Sequence, residues 1–250
     1  MRGNGDHRER GRVRHGFRRD IQAFLRRQRE RSHLYLAGTL LMIPAVGLAL
    51  SVFLGMVRLV ADPEVIPQVD LRMQQTVEGI LTPGFTRSMV LITAAGGTVG
   101  MTLLTVVLGI VLWRQRWWSQ LVELLIAMVG GAVTIFLMKA FFQRARPAEA
   151  LLEVRGLSFP SGHSFISVVF FGFCAYLLIR SRLPPLVTVP GVIVSLLLIP
   201  VIGFSRIYLG VHFLTDVLGG FAAGFVWLLL TLVLVRLARA RSPGEPRPQS

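Results

Sequence analysis

Apolar residues gather into six long runs along this chain, roughly residues 34–60, 89–113, 120–142, 164–179, 186–204 and 213–235. About 20 such residues suffice to cross the hydrocarbon core of a bilayer. In lipid a helix satisfies its own backbone groups within one segment. The pattern therefore predicts an all-α, polytopic membrane protein, a bundle of six transmembrane helices. A transmembrane β-barrel would need alternating apolar and polar residues, which these runs lack. Between the first two runs, Val69, Met73, Val77 and Ile80 recur at helical spacing. They predict a short amphipathic helix on the outer surface, ended by Thr82-Pro83-Gly84. Two roles fit it, capping the bundle or helping to enclose a site. Residues 18–31 likewise fit either a basic surface helix around Ile21, Phe24 and Leu25 or a disordered tail.

Composition agrees with a membrane chain. It is 53% hydrophobic and only 16% charged, against about 25% charged in soluble domains. A net charge of +14 invites a nucleic-acid reading, but the positions of the charges argue against it. Nineteen of the 27 basic residues sit in four places: 11 Arg in residues 1–33, Arg114 with Arg116, Arg180 with Arg182, and four Arg from Arg236 onward. With six spans these places share one side, and the positive-inside rule makes that side cytoplasmic. The expected partners are thus membrane lipids, including anionic headgroups, and no nucleic acid. The expected layout is a cytoplasmic Arg-rich tail over 1–33, a membrane domain over 34–236 and a cytoplasmic tail over 237–250. The first run is longer than a signal-peptide core and follows 33 mostly polar residues, so it reads as an uncleaved helix. Cys174, the single cysteine, excludes an intrachain disulfide.

Alternation of the spans brings the polar clusters to one outer face. Lys139 closes the third span, His163 opens the fourth, Arg206 closes the fifth and His212 opens the sixth. Lys139 is the only lysine among the basic residues. A lysine near a span end is ordinarily a snorkelling anchor, yet arginine would serve equally, which hints at a need for a compact ammonium. Arg146, before Pro147, offers a planar fork suited to phosphate, and Arg144 lies close by in sequence. In Pro160-Ser161-Gly162-His163, Ser161 is the expected N-cap and Gly162 allows close backbone approach. The helix start is then an anion site beside His163; a capped helix with an exposed histidine is the bland alternative. His212 and Asp216 are four apart and share a helix face, so the carboxylate can accept the Nδ1 proton and leave Nε2 free. An aspartate in an apolar run costs up to roughly 2.5–3.5 kcal/mol on insertion scales. Two histidines and an aspartate could bind a metal, but the three cations beside them favour phosphate.

Taken together, these residues resemble the type 2 phosphatidic acid phosphatase superfamily, whose signature reads Lys-x6-Arg-Pro, Pro-Ser-Gly-His and Ser-Arg-x5-His-x3-Asp. Lys139, Arg146, Pro147, Pro160 to His163, Ser205, Arg206, His212 and Asp216 match every fixed position. The resemblance implies a lipid phosphatase or diphosphatase that needs no metal or other cofactor. It implies His212 as nucleophile, Asp216 stabilising the imidazolium, and His163 as acid and then base. Lys139, Arg146, Ser161, Gly162 and Arg206 would bind phosphate. Undecaprenyl diphosphate, phosphatidic acid and phosphatidylglycerol phosphate are the expected substrates. The resemblance and the arginine-heavy composition suggest a bacterial inner membrane, with the site facing the periplasm or exterior. A phosphotransferase using the same site and a lipid-phosphate transporter or flippase are the competing readings. The His212/Asp216 pair, which mere binding does not require, separates the last from an enzyme.

Overall fold

The computed structural model describes residues 43–62 and 66–241, with the side chains of 236–241 set aside. The residues from Val46 onward form one compact unit, to which every residue of the site belongs. The expected tails, and the start of the first predicted span, lie largely outside the described residues. Among the described residues, eight helices follow one another: α1 (Ile43–Leu59), α2 (Gln68–Glu78), α3 (Pro83–Ala95), α4 (Thr98–Arg114), α5 (Trp118–Phe142), α6 (Gly162–Arg180), α7 (Pro185–Tyr208) and α8 (Leu214–Arg241). No strand occurs among the described residues. Four helices are long and apolar enough to cross a membrane: α5, α6, α7 and α8 through Val235. A fifth crossing results if α3 and α4 form one bent span, and α1 is a shorter apolar helix.

The second predicted span is where the pattern misleads. Residues 89–113 read as continuous because Gly96 and Gly97 do not lower hydropathy, yet the chain bends there by 49°. A glycine pair is a recognised place for a sharp helix kink. Packing also requires small residues at this point. A Cβ on Gly96 would lie 2.5 Å from Ile202 Cγ2 of α7, and one on Gly97 would lie 3.3 Å from His163 Nε2. Thr82-Pro83-Gly84, expected to end the outer helix, instead starts α3: Thr82 is its N-cap and its hydroxyl accepts from the Phe85 amide.

Helices α6 and α8 form the centre, with 44% and 56% of their spans buried against 22% for α5 and 17% for α7. Their contact is nearly backbone to backbone. A Cβ on Gly220 would come within 2.6 Å of the Ser161 carbonyl, and one on Gly224 within 2.6 Å of the Phe165 carbonyl. Small residues of this kind let helices approach in lipid, where van der Waals packing drives association. Helix α5 loosens into a π-turn over Ile126–Gly130, and the Ala127 carbonyl accepts the Trp227 indole N–H of α8 at 2.9 Å.

Helix α7 runs farther than its apolar run implied. Ser205 and Arg206, just beyond the predicted run that ends at residue 204, belong to its last helical residues. The turn proper is Leu209 to Phe213, with Gly210 at φ +67. Helix α5 stops where Gln143 adopts the left-handed conformation and its amide returns to the Lys139 carbonyl. The following segment, residues 143–161, folds over the helix ends.

Candidate active site

Four helix ends and this segment place the expected residues together. Lys139 Nζ, in the last turn of α5, donates to the carbonyls of Leu157 and Ser158 at 2.6 and 3.1 Å. Arg146, in the segment after α5, donates through Nε to the Gly156 carbonyl and through Nη1 to the Val211 carbonyl. The same Nη1 lies 3.1 Å from His212 Nε2. Arg206 is buried; its Nη1 donates to Thr93 Oγ1 of α3, and its Nε has no hydrogen-bond partner among the described residues. His163 lies within electrostatic reach of Arg206, His212, Arg146 and Lys139. Both imidazoles and all three cations therefore face one volume.

A guanidinium only donates, so the contact with Arg146 makes His212 Nε2 an acceptor and puts the ring proton on Nδ1. That proton points to Ser158 Oγ at 3.2 Å. Ser158 in turn donates to Asp216 Oδ2. The direct distance from His212 Nδ1 to Asp216 Oδ2 is 3.5 Å. The expected imidazole–carboxylate contact is thus an ion-pair distance, with the Ser158 hydroxyl bridging the two groups. Burial pushes the His212 imidazole down to about 4, against the upward pull of Asp216. The ring is neutral at physiological pH, so Nε2 keeps the lone pair a nucleophile requires, here accepting from Arg146. Burial also lowers Arg146, while Asp216 pulls it up.

Ser161 stands at the expected N-cap position of α6 but does not cap with its side chain, and its hydroxyl accepts from Ser164. Its amide donates to the Asp216 carbonyl at 2.9 Å. The first-turn amides of Gly162 and His163 are the groups that a helix start leaves without intrahelical acceptors. Lys139 Cε passes close to Gly162, 3.8 Å from the place a Cβ would take.

Three contributors escaped the sequence reading altogether. Ser158 is the first; it stands two residues before the Pro-Ser-Gly-His stretch, where a serine in a loop gives no signal. Thr93 of α3 is the second, a hydroxyl inside an apolar run. The third is Asp70 of α2, which is 0% exposed. It accepts from the Thr215 amide at 2.9 Å, from Thr215 Oγ1 at 2.6 Å and from Arg144 Nη2 at 3.0 Å. Arg144 Nη1 reaches Thr215 Oγ1 and Asp216 Oδ1, at 2.8 and 2.7 Å, and its guanidinium covers the Phe213 ring at 4.3 Å. Arg144 is therefore a buried structural cation between two carboxylates, whereas Arg146 is the one that reaches His212. Helix α2 helps to build the site, and the expected stripe is buried in its middle only: Met73 and Val77 pack inward on the same side as Asp70, while Val69 and Ile80 are exposed.

Comparison with known proteins identifies relatives of this chain. The family model of the PAP2 superfamily matches residues 120–240. Phosphatidylglycerophosphatase B of Bacillus subtilis (strain 168) is 32% identical over 158 residues, covering 60% of this chain and 75% of the relative. The crystal structure of a transmembrane PAP2 type phosphatidylglycerolphosphate phosphatase from Bacillus subtilis superimposes with a TM-score of 0.66 at 27% identity, over 79% of this chain and 98% of that one. Aquifex aeolicus LpxE shares the fold, with a TM-score of 0.53 at 24% identity over 65% of this chain and 94% of that one.

Proposed function

The chain belongs to the PAP2 superfamily and is an integral membrane lipid phosphatase, and on that premise we propose that it hydrolyses phosphatidylglycerol phosphate through a covalent phosphohistidine on His212. The observation that carries the mechanism is the line from Arg146 through His212 and Ser158 to Asp216. In the first step His212 Nε2 attacks phosphorus, the bond from phosphorus to the lipid oxygen breaks, and His163 gives that oxygen its proton. In the second, His163 takes a proton from water, the hydroxide attacks phosphorus, and the P–N bond returns its electrons to the imidazole. Ser158 and Asp216 stabilise the positive charge that the ring carries while phosphorylated. Lys139, Arg146, Arg206 and the amides at Gly162 and His163 hold the non-bridging oxygens, where fixed charges count most in a dry site. Arg206 Nε, which lacks a partner among the described residues, fits this role.

The names of the two Bacillus subtilis relatives support the choice of lipid. The arginine distribution supports cytoplasmic termini, a six-span arrangement and a site facing the periplasm or exterior. The division into tails over 1–33 and 237–250 and a membrane domain between them belongs to the same proposal. The test is a panel assay in mixed micelles, with chelator present. Phosphatidylglycerol phosphate is expected to give the highest kcat/KM, above phosphatidic acid, undecaprenyl diphosphate and a soluble phosphomonoester. A higher value for undecaprenyl diphosphate would replace the substrate assignment. Activity that vanishes with chelator and returns with a divalent ion would overturn the mechanism.

A further inference from the structure

Asp70 lies in α2, outside residues 120–240 that carry the family match, yet it is as deeply buried as Asp216. A carboxylate at such depth is held only when paired and hydrogen-bonded, and Asp70 is both. Its Oδ1 accepts the Thr215 amide, one of the first-turn donors of α8 that the helix itself leaves unmet. Its Oδ2 accepts from Thr215 Oγ1 and Arg144 Nη2. Arg144 is thereby shared: one nitrogen faces Asp70, the other Asp216.

Without Asp70, Arg144 Nη2 loses its acceptor, and only Thr215 Oγ1 and the Phe213 ring hold the guanidinium against a rotation that would place both nitrogens on Asp216, the bidentate geometry that guanidinium and carboxylate favour. Asp216 would then be fully neutralised by an adjacent cation and drawn from Ser158. The charged groups around Asp216 are Arg144 and His212 at contact distance, Asp70 beyond Arg144, and Lys139 and Arg146 farther out. Four of these five are basic, so Asp70 is the group that keeps a net negative charge beside the imidazole. We infer that Asp70 is a positioning residue of the reaction, holding Arg144 divided so that Asp216 retains the charge His212 needs while it carries the phosphoryl group. This rests on the phosphohistidine reading proposed above. It gives the outer helix a part in the chemistry besides its packing.

The experiment compares full-length wild type, Asp70→Asn, Thr215→Val, Thr215→Ser and His212→Ala on phosphatidylglycerol phosphate in mixed micelles, with thermal melting of each. Asp70→Asn is expected to lower kcat by about tenfold or more with KM within about twofold, because the groups that bind phosphate are untouched. Thr215→Val, which keeps the backbone cap but removes the hydroxyl between Asp70 and Arg144, should lower kcat less, and Thr215→Ser should restore it. Wild-type kcat in folded Asp70→Asn, or a rise in KM alone, overturns the inference. If Asp70→Asn does not fold, the Thr215 pair decides: equal kcat in the Val and Ser variants overturns it. Wild-type turnover by His212→Ala would instead remove the underlying reading, an outcome distinct from a failure of Asp70.

Discussion

Helices α5 to α8 and helices α2 to α4 both furnish the site, but by different means. The later group carries the side chains proposed to touch phosphate: Lys139, Arg146, His163, Arg206 and His212. The earlier group supplies supports: Asp70 on Arg144 and Thr215, Thr93 on Arg206, and the Gly97 backbone beside His163. Reactive groups need particular residue types at particular spacings, because an imidazole must meet its carboxylate across a helical turn. Supports need only a hydroxyl, a carboxylate or a missing side chain at the right depth. The contrast is between chemistry that constrains sequence tightly and scaffolding that constrains it loosely.

Substitutions sharpen the contrast, and the largest effect belongs to the later group. His212→Ala should lower kcat by at least about a thousandfold with the fold retained, read as inorganic phosphate released by monodisperse protein. Ser158→Ala breaks the bridge from Nδ1 to Asp216 without removing either partner. We expect kcat to fall by roughly 10- to 100-fold, with KM little changed; an unaltered kcat would show that the 3.5 Å contact suffices alone. Among the earlier helices, Thr93→Val leaves Arg206 without its side-chain hydrogen bond. Its expected effect is smaller, about three- to tenfold and mostly in KM. A loss as large as that of Ser158→Ala would erase the division between reactive groups and supports.

The smallest expected change is a titration that fails to appear. His212 is held near 4, below the ordinary imidazole value of 6.5. In 15N-histidine-labelled protein its ring signal, assigned with His212→Asn, should stay neutral from pH 8 to 5 and move only near pH 4. The sign for stability follows. As pH falls from 6.5 toward 4 the unfolded chain takes up a proton that folded His212 refuses, so this group lowers stability over that window and has no such effect above it. A midpoint near 6.5 would contradict the burial argument.

The legibility of the sequence follows the same line. The convergence of Lys139, Arg146, His163, Arg206 and His212 was readable, because hydropathy located the helix ends and the motifs sat on them. The break at Gly96-Gly97 was not, since glycine is neutral to hydropathy and its reason, the approach of Ile202 and His163, lies 66 or more residues away in sequence. Asp70 was hidden because it shares the face of Met73 and Val77, where an apolar stripe points to packing and not to a carboxylate. An acidic residue in a surface helix is ordinarily solvated, and only its distant partners Arg144 and Thr215 reveal that this one is buried. Ser161 shows the converse. Its place in the motif suggested a phosphate contact, yet its amide belongs to the Asp216 carbonyl.

Trapping the phosphorylated enzyme tests the central claim most directly. Protein turning over phosphatidylglycerol phosphate labelled in its terminal phosphate is quenched in alkali and the label on the chain is measured. The account predicts label that survives base, is lost in mild acid, is absent from His212→Asn and accumulates in His163→Asn. Label that survives acid but not base, or His212→Asn releasing phosphate at the wild-type rate, would contradict it.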